Sequence, residues 1–305
     1  ESNAMVFTLG AGVGLVAAGV SSATAERNGE VRAELNPDVD AGGGMRRGPA
    51  FAAAGSAGGL AGTRVLASGN VDVAATTAGR LQTQAIAVSA GAASGAGAGT
   101  GTWDRMRTTA RIGERAIVRS ASGDIGVRAL NQATQDNRSV GVAVAGSAAL
   151  GVSASTARVD TQTRAEIDDG AEVLVYTGID ASGNLRPRTL SVGASDRTSA
   201  ETEAIAGTGA LLVGANAAVA ETRQDGSSQV RLGDGVTLGS GALALDARAD
   251  SRAEAVATGI SVGGLLSVGA AIARTYGATD TSVEVGRRTR QAQEGGVAGA
   301  AAIAL

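Results

Sequence analysis

The chain of 305 residues has no His, no Cys and no Lys; all 26 of its basic residues are Arg. Without His it loses the commonest general base and metal ligand. Without Lys it loses Schiff-base chemistry and the lysine of phosphate-binding loops. Without Cys it loses thiol catalysis, zinc-thiolate sites and disulfides. These absences argue against most enzymes; no cofactor and no metal are expected, although carboxylates and carbonyls alone could still hold a cation. A long exported chain also benefits from having no thiol to mispair. Aromatics are almost missing too: Phe7, Phe51, Trp103, Tyr176 and Tyr276 are all there are. A core must therefore be built largely from small side chains in thin, closely spaced layers. Pro is limited to 3 residues and the 47 Gly follow no triplet, which excludes collagen. A net charge of −3 predicts no general affinity for nucleic acid.

What is present is a repeat. Glu1 to Ala4 read as a purification-tag remnant, leaving residues 5–305 as a single domain. Val6 to Ala25 looks like an export leader, but similar Ala/Gly/Val segments recur from Ala85, Gly141, Glu203 and Ala255, so it is a repeat element. Each is followed by an apolar-charged-apolar step: Ala33-Glu34-Leu35, Ala110-Arg111-Ile112, Ala165-Glu166-Ile167, Val230-Arg231-Leu232 and Val283-Glu284-Val285. A third element closes the unit: Val71-Asp72-Val73, Ile125-Gly126-Val127, Leu190-Ser191-Val192, Leu243-Ala244-Leu245 and Ile303-Ala304-Leu305. Five degenerate units result, ending near residues 75, 129, 194, 247 and 305, with closers 53 to 65 residues apart. The varying period implies insertions, the largest at 36–69 and smaller ones at 99–107 and 177–188.

The long segments have period two, which is a strand signal. From Ala255 to Ala273 one parity carries Val256, Ile260, Val262, Leu266, Val268 and Ile272, and the other is almost all Ala, Gly and Ser. Neither parity is charged, so both faces should be covered, with the aliphatic face filling a core. Bends are expected at Gly207 and Gly209, or at Gly263 and Gly264. A unit that cannot bury its own faces must stack. The fold expected is therefore all-β: a repetitive parallel β-solenoid, most naturally a right-handed β-helix, with a β-prism or sandwich-like roll as the alternative. Two coils per unit would give a rod about 50 Å long at about 4.8 Å per coil. Membrane insertion of this segment is not expected, because the runs are rich in small residues and a membrane barrel would carry a polar lumen parity.

Segments such as Ala204 to Ser251, AIAGTGALLVGANAAVAETRQDGSSQVRLGDGVTLGSGALALDARADS, resemble the degenerate repeats of filamentous-haemagglutinin-like and leukotoxin-type giant bacterial adhesins. The resemblance implies a secreted segment at the cell surface of a Gram-negative bacterium. It implies a structural stalk or adhesive role, with a host glycan, a matrix protein or another copy as partner. A polysaccharide-active β-helix enzyme and a self-associating filament or biofilm module are the alternatives. Candidate ligand-binding loops follow from Arg forks, which suit carboxylated or sulfated glycans, and from the lone Trp, which can stack on a sugar. They are Arg46-Arg47, Trp103-Asp104-Arg105, and Arg186 with Arg188. Asp168-Asp169 and Asp234 read as turn residues.

Overall fold

A computed structural model describes residues 2–35, 63–175, 178–179, 185–186, 188–287, 290–291 and 303–304. The described residues are all-β, stacked as a parallel β-solenoid. The long strands are β1 (Ser2–Leu35), β3 (Val71–Ile112), β5 (Ile125–Ile167), β9 (Thr189–Ala210), β10 (Val213–Leu232), β12 (Ala242–Gly263) and β13 (Leu266–Val285). The short ones are β2 (Arg64–Ala67), β4 (Ile117–Ser120), β6 (Glu172–Val175), β11 (Thr237–Gly239) and β14 (Arg290–Gln291). A hairpin, β7 (Gly178–Ile179) with β8 (Leu185–Arg186), leaves the stack, and β15 (Ile303–Ala304) pairs with β12.

Each unit makes one coil, drawn out into a flat leaf. An ascending leg, such as 125–145, runs away from the short strands, reverses, and returns as a descending leg, such as 148–167. The two legs belong to two parallel sheets lying back to back. Legs of about 20 residues span about 66 Å, while five coils at about 4.8 Å stack only about 24 Å deep. The expectation of two coils per unit and a rod is corrected: the repeat length is spent on leg height. The recurring triplets stack in register. Val71, Ile125, Leu190 and Leu243 follow one another across the ascending sheet. Leu35, Ile112, Ile167, Leu232 and Val285 do so across the descending sheet.

The chain reverses at Gly14-Leu15, at Ala92, at Gly146-Ser147, at Leu211-Leu212 and at Gly264-Leu265. Gly264 was an expected bend; Gly207 and Gly209 instead lie within β9. Residues 99–107 are uninterrupted β3, not an insertion, and Arg64–Ala67 is a regular coil strand. Residues 36–62 lie outside the described residues.

The interior changes along the leaf. At the base, Ile112, Ile125, Val127, Ile167, Leu190, Val192 and Leu232 are fully buried together with Val118 and Val173 of the short strands. Midway, the inner face is polar, with Thr83, Thr102, Asn131, Gln135, Asn137 and Gln224 buried. At the tip it is small: Ala85, Ala87, Ala96, Ala98 and Ala143 form one cluster, and Ala204, Ala206, Ala218 and Ala220 another. Backbones approach closely here. A Cβ on Gly151 would stand 2.6 Å from the Gly207 carbonyl oxygen, and one on Gly141 would overlap that of Val152. The expectation that the aliphatic parity of the long segments fills the core is overturned; the aliphatic core lies at the base, in the recurring triplets and the short strands. At the tip that parity faces outward, with Val144 and Leu150 each 53% exposed.

The base corners are repeated turns. Asp169 accepts from the Asp234 N–H at 2.8 Å, and Asp234 accepts from the Arg287 N–H at 2.6 Å, so turn carboxylates link coil to coil. The left-handed position of this turn is Gly170 and Gly235 in two coils but Arg115, at φ 56°, in another. An L side chain in that conformation costs roughly 1–2 kcal/mol. Arg115→Gly is expected to raise stability by about 1 kcal/mol, read as a higher urea midpoint at unchanged slope.

Candidate functional site

The outer face of the descending legs below the tip is a charged platform. In-register pairing places Glu34, Arg111, Glu166, Arg231 and Glu284 in one row, alternating in sign from coil to coil. Opposite charges at neighbouring positions of a ladder stabilise it, and like charges oppose it. Beside this row lies a shallow cleft of about 170 Å³ lined by Glu30, Arg32, Arg107, Arg111, Arg164 and Glu166, among others. Arg111 is engaged by Asp168, and Arg32 by Glu30. Arg105, Arg107, Arg158 and Arg164 make no ion pair among the described residues. The platform thus offers guanidinium groups to an anionic ligand.

The structure divides the residues singled out from sequence. Trp103, Asp104 and Arg105 are not in a loop but in the descending leg of β3. A strand alternates its side chains, so the three cannot act on one ligand. Trp103 and Arg105 face outward, and the indole covers Gly101, where a Cβ would stand 2.6 Å from it. Asp104 points inward and is 1% exposed. Arg46 and Arg47 lie outside the described residues. Arg186 ends β8, and Arg188 precedes β9, half-buried, with a buried Nε that has no hydrogen-bond partner.

Sequence reasoning missed the buried polar layer. Arg27 Nε donates to Asp104 Oδ1 at 3.0 Å, and Arg27 Nη2 pairs with Asp104 Oδ2. Gly79 makes room, since a Cβ there would overlap the guanidinium. Burial pushes the Asp104 carboxyl up while Arg27 pulls it down, and burial wins. Farther along, Asp196 accepts from Asn131 Nδ2 at 2.7 Å and from Thr161 Oγ1 at 2.6 Å. Burial again lifts its carboxyl above the ordinary value, with no cation opposing it. Thr83 donates to Asn137 Oδ1 at 2.8 Å, Asn137 Nδ2 donates to Thr102, and Thr102 donates to Gln135, so neighbouring legs are sewn together. Inward-parity Asn131, Gln135 and Asn137, alternating with Gln132, Thr134 and Asp136, give no hydrophobic contrast that could have marked the buried face.

Among the described residues no group of three or more Asp and Glu lies together as a metal site would require. Asp168 and Asp169 serve the turns: Asp168 pairs with Arg111, and Asp169 caps Asp234. No family model, curated protein or solved structure matches the chain.

Removing one member of a buried pair strands the other. Asp104→Ala is expected to cost about 3–5 kcal/mol, whereas Arg27→Leu combined with Asp104→Leu should recover most of the loss. Urea unfolding of the single and double variants measures both. Asp196 gives a pH signature. Its folded value is raised, so the native state holds its proton to higher pH than the unfolded chain does. Its contribution to stability is therefore full below the ordinary carboxylate range and is lost as pH rises through the folded value. Asp196→Asn keeps an acceptor for Asn131 and offers a donor to Thr161. The variant should be the more stable at neutral pH and lose that part of the slope, as urea midpoints across pH 3–8 would report.

Proposed function

We propose that the chain is a structural and adhesive segment of a large secreted surface protein of a Gram-negative bacterium. The observation that supports this most is the in-register stack itself. Each coil templates the next through long in-register parallel ladders, so such a segment extends by adding equivalent units. The charged platform supplies the adhesive element. Arg105, Arg107, Arg158 and Arg164 stand on one outer face without ion-pair partners among the described residues. Planar guanidinium forks suit carboxylate and sulfate groups. The partner proposed is an anionic host glycan or the glycan-bearing surface of a matrix protein. The four Arg come from two adjacent descending legs, so contacts along a sugar chain would repeat at the coil spacing of about 4.8 Å.

The test is a screen of sulfated, carboxylated and neutral glycans and of matrix proteins against the whole chain. Binding should favour the anionic glycans, fall with salt, and drop at least tenfold in an Arg107→Ala, Arg164→Ala variant. Equal binding by that variant would move the contact off the platform. A further variant lacking residues 37–61 separates the platform from the stretch that contains Arg46 and Arg47. If nothing in the screen binds, the adhesive part of the reading is lost.

A further inference from the structure

The tip third of the leaf is inverted relative to the base. On the ascending sheet the three outer rows nearest the reversals hold Leu9, Ile86, Val88, Val142, Val144 and Ile260 among their residues and no charge. On the descending sheet the four outer rows nearest the reversals hold Val20, Leu150, Val152, Val219, Val268 and Ile272, again with no charge. The reversals add an apolar ridge, with Leu15 84%, Leu211 72% and Leu265 79% exposed. Contiguous apolar surface of this extent on both faces of one body is far beyond what scattered exposed aliphatics explain.

The band ends at a definite level. Arg138 and Glu203 open the charged zone on the ascending face, and Glu221 and Arg274 do so on the descending face. The three aromatic side chains among the described residues stand at this border. Trp103 and Tyr276 share the first row below Glu221 and Arg274, with Arg158 and Arg223 between them, while Phe7 lies level with Arg138.

We propose that the tip of the leaf docks into the hydrocarbon of a lipid bilayer. Three or four rows at about 6.7 Å each give an apolar band of about 20–27 Å. That is close to the roughly 25 Å band of membrane strands. Trp and Tyr at its rim, backed by Arg, form the arrangement that sits at headgroup level. The Ala and Gly interior is closed, and the inner coils have their backbone groups paired on both sides, as hydrocarbon demands. Among the described residues β1, β12 beyond Ala244 and β13 each keep one unpaired edge, which stacks abutting side by side in the membrane would close. A protein partner, including a second copy, would cover one face and leave the other face and the ridge bare, whereas hydrocarbon covers all three at once. The expectation against insertion weighed a spanning helix and a barrel with a polar lumen; the leaf is neither, since its inner parity at the tip is closed Ala and Gly and its aliphatic parity faces outward. This inference is independent of the adhesive reading, and either can fail alone.

The experiment floats the whole chain with phosphatidylcholine vesicles, with and without phosphatidylglycerol. Trp103, the sole Trp, is the depth probe. Expected are co-flotation, a blue-shifted emission, and stronger quenching by lipids brominated near the carboxyl end of the acyl chain than near its terminus. A Gly97→Glu, Gly209→Glu variant puts a charge on each face where an added Cβ meets nothing within 4 Å. It should keep its circular dichroism and urea midpoint while vesicle recovery falls at least tenfold. Absence of flotation with an unshifted Trp103 overturns the proposal. So does a wild-type oligomer, seen by sedimentation and dissolved by the same two charges, because it assigns the band to a second copy.

Discussion

Everything in this molecule answers to one constraint: equivalent positions of successive coils meet in register in parallel sheets. Whatever side chain a position holds is set about 4.8 Å from its counterparts in the next and previous coil. A charge repeated at one position would face its own kind along the whole row. The row of Glu34, Arg111, Glu166, Arg231 and Glu284 alternates in sign instead, although Arg158 does face Arg223 and Asp136 faces Glu201 elsewhere. The turns obey the same constraint differently, each Asp carboxylate capping a backbone N–H of the following coil, so Asp169 serves Asp234 and Asp234 serves Arg287. A slip by one residue would turn every inner side chain outward. Alternating charges and turn caps are the devices that penalise it.

The second consequence is that the separation of the two sheets is set by what lies between them. At the base, Ile and Leu hold the layers apart and the short strands close the end. Midway, hydroxyl and amide side chains bridge the gap, as Thr77 with Thr108 at 2.8 Å and Thr202 with Thr222 at 2.7 Å. At the tip, Ala and Gly let the backbones nearly touch. This grading explains the scarcity of aromatics, since the described Trp and Tyr and Phe7 stand on the outside of the leaf. It also explains why buried polar groups are tolerated: most have partners on the facing leg, and pairing removes the larger part of the cost of desolvation.

Much of the fold was legible because it is written in period and spacing. The triplets around Leu35, Ile112, Ile167, Leu232 and Val285 mark one corner of every coil, and alternation marks the strands. Three things were not legible. The inward parity depends on how close the sheets come, and in a segment such as Ala255 to Ala273 both choices bury something apolar. The coil count depends on whether a long alternating run stays straight or folds back, and reversals at Leu211-Leu212 or Ala92 carry no turn signature. The site was misread because Trp103, Asp104 and Arg105 are adjacent in sequence, and a Gly- and Thr-rich surrounding suggests a loop. In a strand, adjacency separates them, sending Asp104 to Arg27 inside and the other two to the surface.

The grading along the leaf also orders its local stability. The base buries large aliphatics from three elements per coil, and each such side chain contributes about 1.5–3 kcal/mol relative to exposure. The tip buries methyl groups and glycine backbone, which return far less per residue, and it leaves its aliphatics in water. In aqueous solution the reversals are held chiefly by continuation of the ladders from below, so local opening should begin at Leu211-Leu212 and Gly264-Leu265 and stop at the polar layer. Any medium that covers the outer aliphatic rows adds the missing burial where the leaf is weakest. An environment-dependent tip on an environment-independent base follows from the same choice of small inner side chains that lets the two sheets approach.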